Sequence, residues 1–340
     1  MWELLADYVV FVLKIATLLV ALVILLVSVA AVKRSRESDE QLQVQELNER
    51  QQDLQLSLQA EWLETKAIKK LHKEKEKKAK VQAAKLASLP RVFVLDFKGD
   101  LDASQAAVLG REISLLLSLL RSEDEVVVRL ESAGGYVHSY GHATAQLQRL
   151  RDKNIDLTVC VDRVAASGGY MMACTATKLL VAPFAILGSI GVVAEVPNLH
   201  RLLKKHEIDY EVLTAGDYKR TLTLLGENTP EGKQKFIDDL EQTHDLFKAF
   251  VQRCRPQLDI DKVTKGEVWY GEQALGLHLV DGLQTSEAYL LERQDEARVF
   301  KVRLKKPLNL TEKIAGQTAK VIEGRLLSWW PKLQATFFHR

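Results

Sequence analysis

Cysteine is scarce in this chain. The three residues present, Cys160, Cys174 and Cys254, form an odd set without Cys-x-x-Cys spacing. That excludes a disulfide framework and a cysteine-built zinc site, and leaves each as a small buried apolar residue. Net charge is equally small, with 47 Lys and Arg against 45 Asp and Glu over 340 residues. No bulk charge therefore points to nucleic acid. The length allows one large domain or two modest ones.

Charge is missing altogether from Ile15 to Val32, and extending the run back to Tyr8 adds only Lys14. As a helix rising about 1.5 Å per residue, Tyr8–Val32 exceeds the roughly 30 Å hydrocarbon core, which predicts a membrane span. The acidic Glu3 and Asp7 stand where a cleaved signal peptide would carry basic residues. "VKRSR" after the span places the following chain in the cytoplasm by the positive-inside rule. Glycine and proline are absent from Glu37 to Leu89, so this stretch is expected to be a long helix. Its lysine-rich part, Lys66–Lys85, is a solvated spacer or a contact for anionic lipid headgroups. At the other end, Lys313–Arg340 spaces Ile314, Val321, Leu326, Trp329 and Phe337 along one helical face. That face suits docking on the domain or on a second copy, or a membrane interface.

After Pro90 the chain alternates short β-rich runs with helical ones, which predicts an α/β layer fold. "RVFVLDF", "EVVVRLES", "IDLTVCV", "KLLVA" and "GSIGVV" read as strands, and Ala103–Leu120 and Tyr136–Leu150 as helices. The apolar stretch Val181–Val196 is broken by Pro183, Gly188 and Gly191, so a buried strand is expected there rather than a second span. Thr229 and Pro230 mark the N-cap and first position of a helix running to about Arg255.

In "VAASGGYMMAC" a single serine, Ser167, opens a helix, where unpaired N–H groups and the helix dipole favour negative charge. Ser167 is either a nucleophile or a small residue at a tight strand–helix contact. Gly168 and Gly169 lack a Cβ, so a substrate carbonyl can approach the backbone. "ESAGGYV" puts Gly134 and Gly135 at the carboxyl end of another strand, where α/β sheets place their sites. A serine needs a base, and the resulting oxyanion needs aimed donors. His138 and His142, four apart on one helix, are candidates for a base or a two-histidine metal site, but no acidic partner completes a zinc motif. A lysine serves once burial lowers its pKa from about 10.4 toward 7 or 8. Spacing alone does not choose among the many lysines.

Five motifs in order, "GGYV", "VAASGGYMMA", "VAPFAILGSIGV", "GDYKRTLT" and "GEVWYGEQALGLHLVDGL", resemble the signal peptide peptidase A and SohB family of membrane serine peptidases, closest in layout to its single-domain members. The resemblance implies a ClpP/crotonase-like domain of repeated ββα units over 91–305, preceded by an anchor at 1–36 and a charged helical spacer at 37–90, and followed by an amphipathic tail at 306–340. It implies Ser167 as nucleophile and Lys219 as general base. Ser189 would orient the lysine, and the backbone N–H groups of Gly134 and Gly168 would form the oxyanion hole. Ala133 stands where family members often have proline. The resemblance implies no cofactor or metal. It also implies a peptide or protein substrate, such as signal-peptide remnants, contact with membrane lipid, and closed homo-oligomers in which neighbouring domains complete the site. It permits a periplasmic catalytic domain, against the cytoplasmic side given by the basic residues. A crotonase-like acyl-CoA enzyme would need neither Ser167 nor Lys219, and a non-catalytic membrane scaffold would need no peptidase chemistry.

Overall fold

The computed structural model describes residues 14–17, 19, 41–62 and 89–305. The expected span Tyr8–Val32 lies almost wholly outside these residues, as do the basic stretch Lys66–Lys85 and the tail 306–340. Among the described residues no helix is long and apolar enough to cross a membrane. The chain divides into two units, and the one formed by Gln43–Arg303 carries the core and the site.

The elements in order are β1 (Gln41–Glu46), α1 (Leu47–Ala60), β2 (Arg91–Lys98), α2 (Ala106–Leu117), β3 (Glu125–Glu131), α3 (Val137–Arg151), β4 (Asp156–Val161), β5 (Val164–Ala166), α4 (Gly168–Ala173), β6 (Lys178–Val181), β7 (Ile186–Gly188), α5 (His200–Lys205), α6 (Pro230–Cys254), α7 (Ile260–Val263), β8 (Val268–Tyr270), α8 (Gly271–Gly276), β9 (Gly282–Leu283), α9 (Ser286–Glu296) and β10 (Arg298–Lys305). Seven strands form one sheet in the order β1-β10-β2-β3-β4-β6-β9, and every pairing from β10 to β9 is parallel. Strands buried on both faces need continuous apolar runs, and the alternation of side chains divides those runs between two cores. Phe93, Leu95, Phe97, Val126 and Val128 join the large core with α2, α3 and α4. Val92, Val94, Val127 and Cys160 face a smaller core closed by Tyr289 and Leu290 of α9. A second sheet, β5-β7-β8, stands beside the first.

The α/β expectation holds, with corrections at particular elements. The stretch Glu37–Leu89 is not one continuous helix among the described residues. Gln41–Glu46 is a strand at the edge of the large sheet, fixed by Glu46, whose carboxylate takes two hydrogen bonds from Arg298 at 2.9 and 2.8 Å. The Asn48 side chain continues this junction, donating to the carbonyls of Gln294 and Ala297 and accepting from Val299 N–H. Helix α2 is shorter than Ala103–Leu120, because Ala103 takes φ +48° in the preceding turn. "GSIGVV" is not a strand and Val181–Val196 is not one buried strand. β7 stops at Gly188, where φ values of +95° at Gly188 and +51° at Ser189 end the extended conformation. Beyond it Val193 is 84% exposed. The N-cap of α6 is as expected, with Thr229 Oγ1 accepting from Gly232 N–H at 3.1 Å.

At the start of β2, the carboxylate of Asp124 is fully enclosed and paired with Arg91. It also accepts the N–H groups of Arg91 at 3.0 Å and Arg121 at 2.8 Å. Burial pushes this carboxyl up, but the hydrogen bonds from Arg91 and Arg121 outweigh it and hold the group below its ordinary range. Its stabilisation is therefore complete above the unfolded carboxylate value of about 3.9 and is lost as pH falls through the lower folded value. Asp124→Asn is expected to cost about 2 kcal/mol at neutral pH, and denaturant titrations at pH 7 and pH 3 should show the gap from wild type narrowing at the acid end.

Candidate active site

β5 passes directly into α4 with only Ser167 between them. Its backbone sits at φ +52°, ψ −122°, a conformation that costs a residue with a Cβ of order 1–3 kcal/mol and needs its surroundings to hold it. Those surroundings are visible. Ser167 N–H donates to the Gly188 carbonyl at 2.8 Å, and the Ser167 carbonyl accepts from Met171 N–H at 3.0 Å. The turn thus presents a half-buried hydroxyl at the first turn of a helix, beside the unpaired N–H groups that begin it.

The glycine loop after β3 lies against this turn. A Cβ on Gly134, which has φ +93°, would stand 2.7 Å from Ser167 Cβ and 2.8 Å from Gly168 N. Ser132, which the sequence reading passed over, brings the two loops together. Its N–H donates to the Val164 carbonyl at 2.9 Å, and its own carbonyl accepts from Ala166 N–H at 3.0 Å. The buried Ser132 Oγ meets Tyr140 Oη at 2.5 Å and accepts from Gly134 N–H at 3.0 Å. Tyr140 Oη in turn donates to the Asp100 carbonyl at 2.7 Å. The protons then have one consistent order, from Gly134 to Ser132 to Tyr140 to Asp100.

The two glycines after Ser167 have a different cause from the one their sequence suggests. A Cβ on Gly168 would lie 2.4 Å from Tyr140 Cγ, and one on Gly169 would lie 2.5 Å from the Ser132 carbonyl oxygen. Both lack a side chain because α4 rests directly on the Ser132–Tyr140 assembly, not simply to leave room for a substrate.

Ser167, Gly134, Gly168 and Ser189 are brought to one place. Ser189 follows the Gly188 carbonyl that anchors Ser167, and its N–H donates to the Glu267 carbonyl at 2.6 Å. Lys219 is not brought into contact with them. It lies exposed in a turn of the long excursion between β7 and α6, held by its own N–H to the Gly216 carbonyl at 3.2 Å. Among the described residues its amine makes no hydrogen bond or ion pair. The neighbouring Tyr218 ring takes Lys235 of α6 at 5.6 Å from its centroid. His138 and His142 are exposed on α3, His138 stacking on Tyr136 at 5.8 Å, and among the described residues no cluster of metal-ligating side chains occurs. The wall opposite Ser167 comes from α6, where Thr243 and Phe247 join Val137, Met171 and Val192 around the hydroxyl. Between them His244 Nε2 contacts the Ile190 carbonyl at 3.2 Å. A helix periodicity shows that α6 has an inner face, but not which loop that face meets.

A serine on a strained strand-to-helix turn, at the carboxyl ends of parallel strands and beside a second glycine loop, defines an α/β serine hydrolase. Comparison with known proteins narrows the class. Residues 3–147 match the Peptidase family S49 N-terminal region, and residues 149–299 match Peptidase family S49. The chain is 48% identical to the probable protease SohB of Haemophilus influenzae over 330 residues, covering 93% of each. It is 53% identical over 204 residues to the probable protease SohB of Buchnera aphidicola subsp. Schlechtendalia chinensis, covering 60% of this chain and 67% of that one. The chloroplastic serine protease SPPA of Arabidopsis thaliana is 27% identical over 195 residues, covering 55% of this chain and 28% of that one. The chain belongs to peptidase family S49, and it is a serine peptidase.

Proposed function

We propose that the protein is a membrane-anchored endopeptidase in which Ser167 attacks the peptide carbonyl and Lys219 serves as general base. The observation that carries the reading is the Ser167 turn itself, a strained backbone held by the Gly188 carbonyl and pressed against Gly134. Lys219 takes the hydroxyl proton and passes it to the leaving amine, and water then hydrolyses the acyl-enzyme. Ser189 orients the lysine amine. The N–H of Gly168 receives the oxyanion, and Gly134 N–H is the second donor, released from or shared with Ser132 Oγ as negative charge develops.

The exposure of Lys219 supports an assembly in which copies of the chain complete one another's sites. The excursion that carries it also exposes Val193, Leu202, Ile208, Tyr210 and Leu213, the last 89% exposed. Apolar surface of that kind suits burial against a second copy. The uncharged run before Val32 anchors the enzyme in the inner membrane, with the basic "VKRSR" favouring a cytoplasmic catalytic domain. Its substrates are then extended, apolar polypeptides at the membrane, including signal-peptide remnants.

Labelling by a serine-directed phosphonate tests the dyad. Lys219→Ala is expected to slow labelling of Ser167 by about 100-fold or more. Labelling as fast as wild type would remove Lys219 from the mechanism. Activity regained on mixing inactive Ser167→Ala and Lys219→Ala chains would show the lysine acting across copies.

A further inference from the structure

Ser167 shares its strain with a second serine. Gly188 and Ser189, at the end of β7, take φ +95° and +51° in succession. A left-handed residue with a Cβ persists only where its surroundings hold it. The Gly188 carbonyl accepts from Ser167 N–H at 2.8 Å, Ser189 N–H donates to the Glu267 carbonyl at 2.6 Å, and Gly191 N–H turns back to the Ser189 carbonyl at 2.9 Å. These are main-chain bonds. The Ile190 carbonyl takes the one side-chain bond made to this loop among the described residues, from His244 Nε2 of α6 at 3.2 Å. We propose that His244 is a positioning residue of the peptidase, pinning the 188–191 loop through the Ile190 carbonyl so that the Gly188 carbonyl stays where it anchors Ser167.

The face of α6 explains why a polar side chain stands there. Phe247 and Val251 are buried and dock the helix on the large core, and His244 precedes them on the same face. At this level the inner face of α6 leaves the core and meets the site, where Thr243 and Phe247 join Gly191 and Val192 around Ser167. Ile190 is wholly buried, so its carbonyl needs a partner inside the fold. Without one, the desolvated oxygen favours any shift of the loop that brings it to water.

A carbonyl oxygen only accepts, so Nε2 of His244 carries a proton in the neutral ring and in the imidazolium alike. A nitrogen engaged in this way is not free to take the Ser167 proton. His244 therefore acts through the loop, not as the base. Its bond runs to Ile190, along the chain to Gly188 and across to Ser167 N–H, and the same loop supplies Gly191 to the wall beside the hydroxyl. A neutral hydrogen bond contributes about a factor of 10, which sets the size of the expected loss.

The test compares His244→Gln, His244→Asn and His244→Leu in the full chain. The Gln amide nitrogen reaches the place of Nε2, the shorter Asn reaches only that of Nδ1, and Leu carries no donor. Phosphonate labelling of Ser167 is expected to fall about 10-fold in the Asn and Leu chains and to stay within about 3-fold of wild type in the Gln chain. The amides of Ser167, Ser189 and Gly191 should exchange faster with deuterium in the two slow variants, with those of β2, β3 and β4 unchanged. The proposal is overturned if the Gln chain labels as slowly as the Leu chain, if the Asn and Leu chains label at the wild-type rate, or if their faster exchange extends to β2, β3 and β4. Should the Leu chain fail to fold, the Gln and Asn chains, alike in polarity, decide the question between them. The inference rests on Ser167 as the nucleophile, and the two readings fail separately. Labelling of Ser167→Ala at the wild-type rate would remove that serine from the chemistry, whereas the exchange pattern reports the anchor without any chemistry.

Discussion

Ser167→Ala is expected to lose peptide hydrolysis by about 10⁴-fold or more while folding as wild type does. On the proposed mechanism the magnitude follows from removing the atom that would form the acyl-enzyme, whose loss is not compensated by the remaining donors and base. The retained fold follows from the environment. Among the described residues the Ser167 hydroxyl makes no hydrogen bond, and the anchors of the turn are its backbone N–H and carbonyl, which alanine keeps. Alanine also accepts the same φ of +52° at a similar cost. Turnover of an apolar fluorogenic peptide, phosphonate labelling and a thermal midpoint on the same preparation check the prediction. Wild-type turnover by the variant would place the nucleophile elsewhere.

The second large effect is expected from Gly168→Ala, although it adds only a methyl group. That methyl would lie 2.4 Å from Cγ and 2.7 Å from Cβ of Tyr140, well inside contact distance. Tyr140 is wholly buried and cannot turn aside, because Ser132 and the Asp100 carbonyl hold its hydroxyl. The start of α4 must shift instead, carrying Ser167 and the Gly168 N–H out of line together. A displacement approaching 1 Å at a reacting group costs about 100-fold in rate, and labelling by the phosphonate should fall by about that factor. Gly141→Ala on α3 is the control. A Cβ there meets nothing within 4 Å, so the change should be neutral or stabilise by up to about 1 kcal/mol. If Gly168→Ala labels at the wild-type rate, the turn is less tightly specified than its contacts indicate.

Much of the sheet was legible because burial on both faces writes itself as largely apolar runs rich in valine, as in "RVFVLDF" and "EVVVRLE". β1 was not, since "QLQVQE" has a polar composition shared with the helix that follows, and its conformation is decided by Arg298, far away in sequence. β10 also went unread, because "RVFKVRLK" interrupts its apolar residues with charges that find partners only in the folded sheet, such as Lys301 on Asp96 at 2.6 Å. At the site, the ordered motifs marked Ser167, Gly134, Gly168 and Ser189, each on a turn with local constraints. Ser132 was missed because nothing in "LESAGG" distinguishes a loop serine from one that joins two strands. The α6 wall was missed because a helix pattern gives a face without saying what it meets. Lys219 was named through motif order, and the fold of one chain leaves it on an exposed arm.

That arm has a consequence for how the molecule breathes. Between β7 and α6 the chain is held chiefly by its own local bonds, such as Leu199 N–H to the Leu224 carbonyl at 2.7 Å and Asn198 Nδ2 to the Gly226 carbonyl at 3.0 Å. Its side chains contribute little to the two cores. Segments of this kind open without global unfolding, so the amides of 192–228 should exchange with deuterium long before those of β2, β3 and β4. On the proposed dyad, the nucleophile Ser167 then sits beside the slowly exchanging strands and the base Lys219 in a segment that opens early, and a chain exchanging through this arm alone would still carry an intact Ser167 turn.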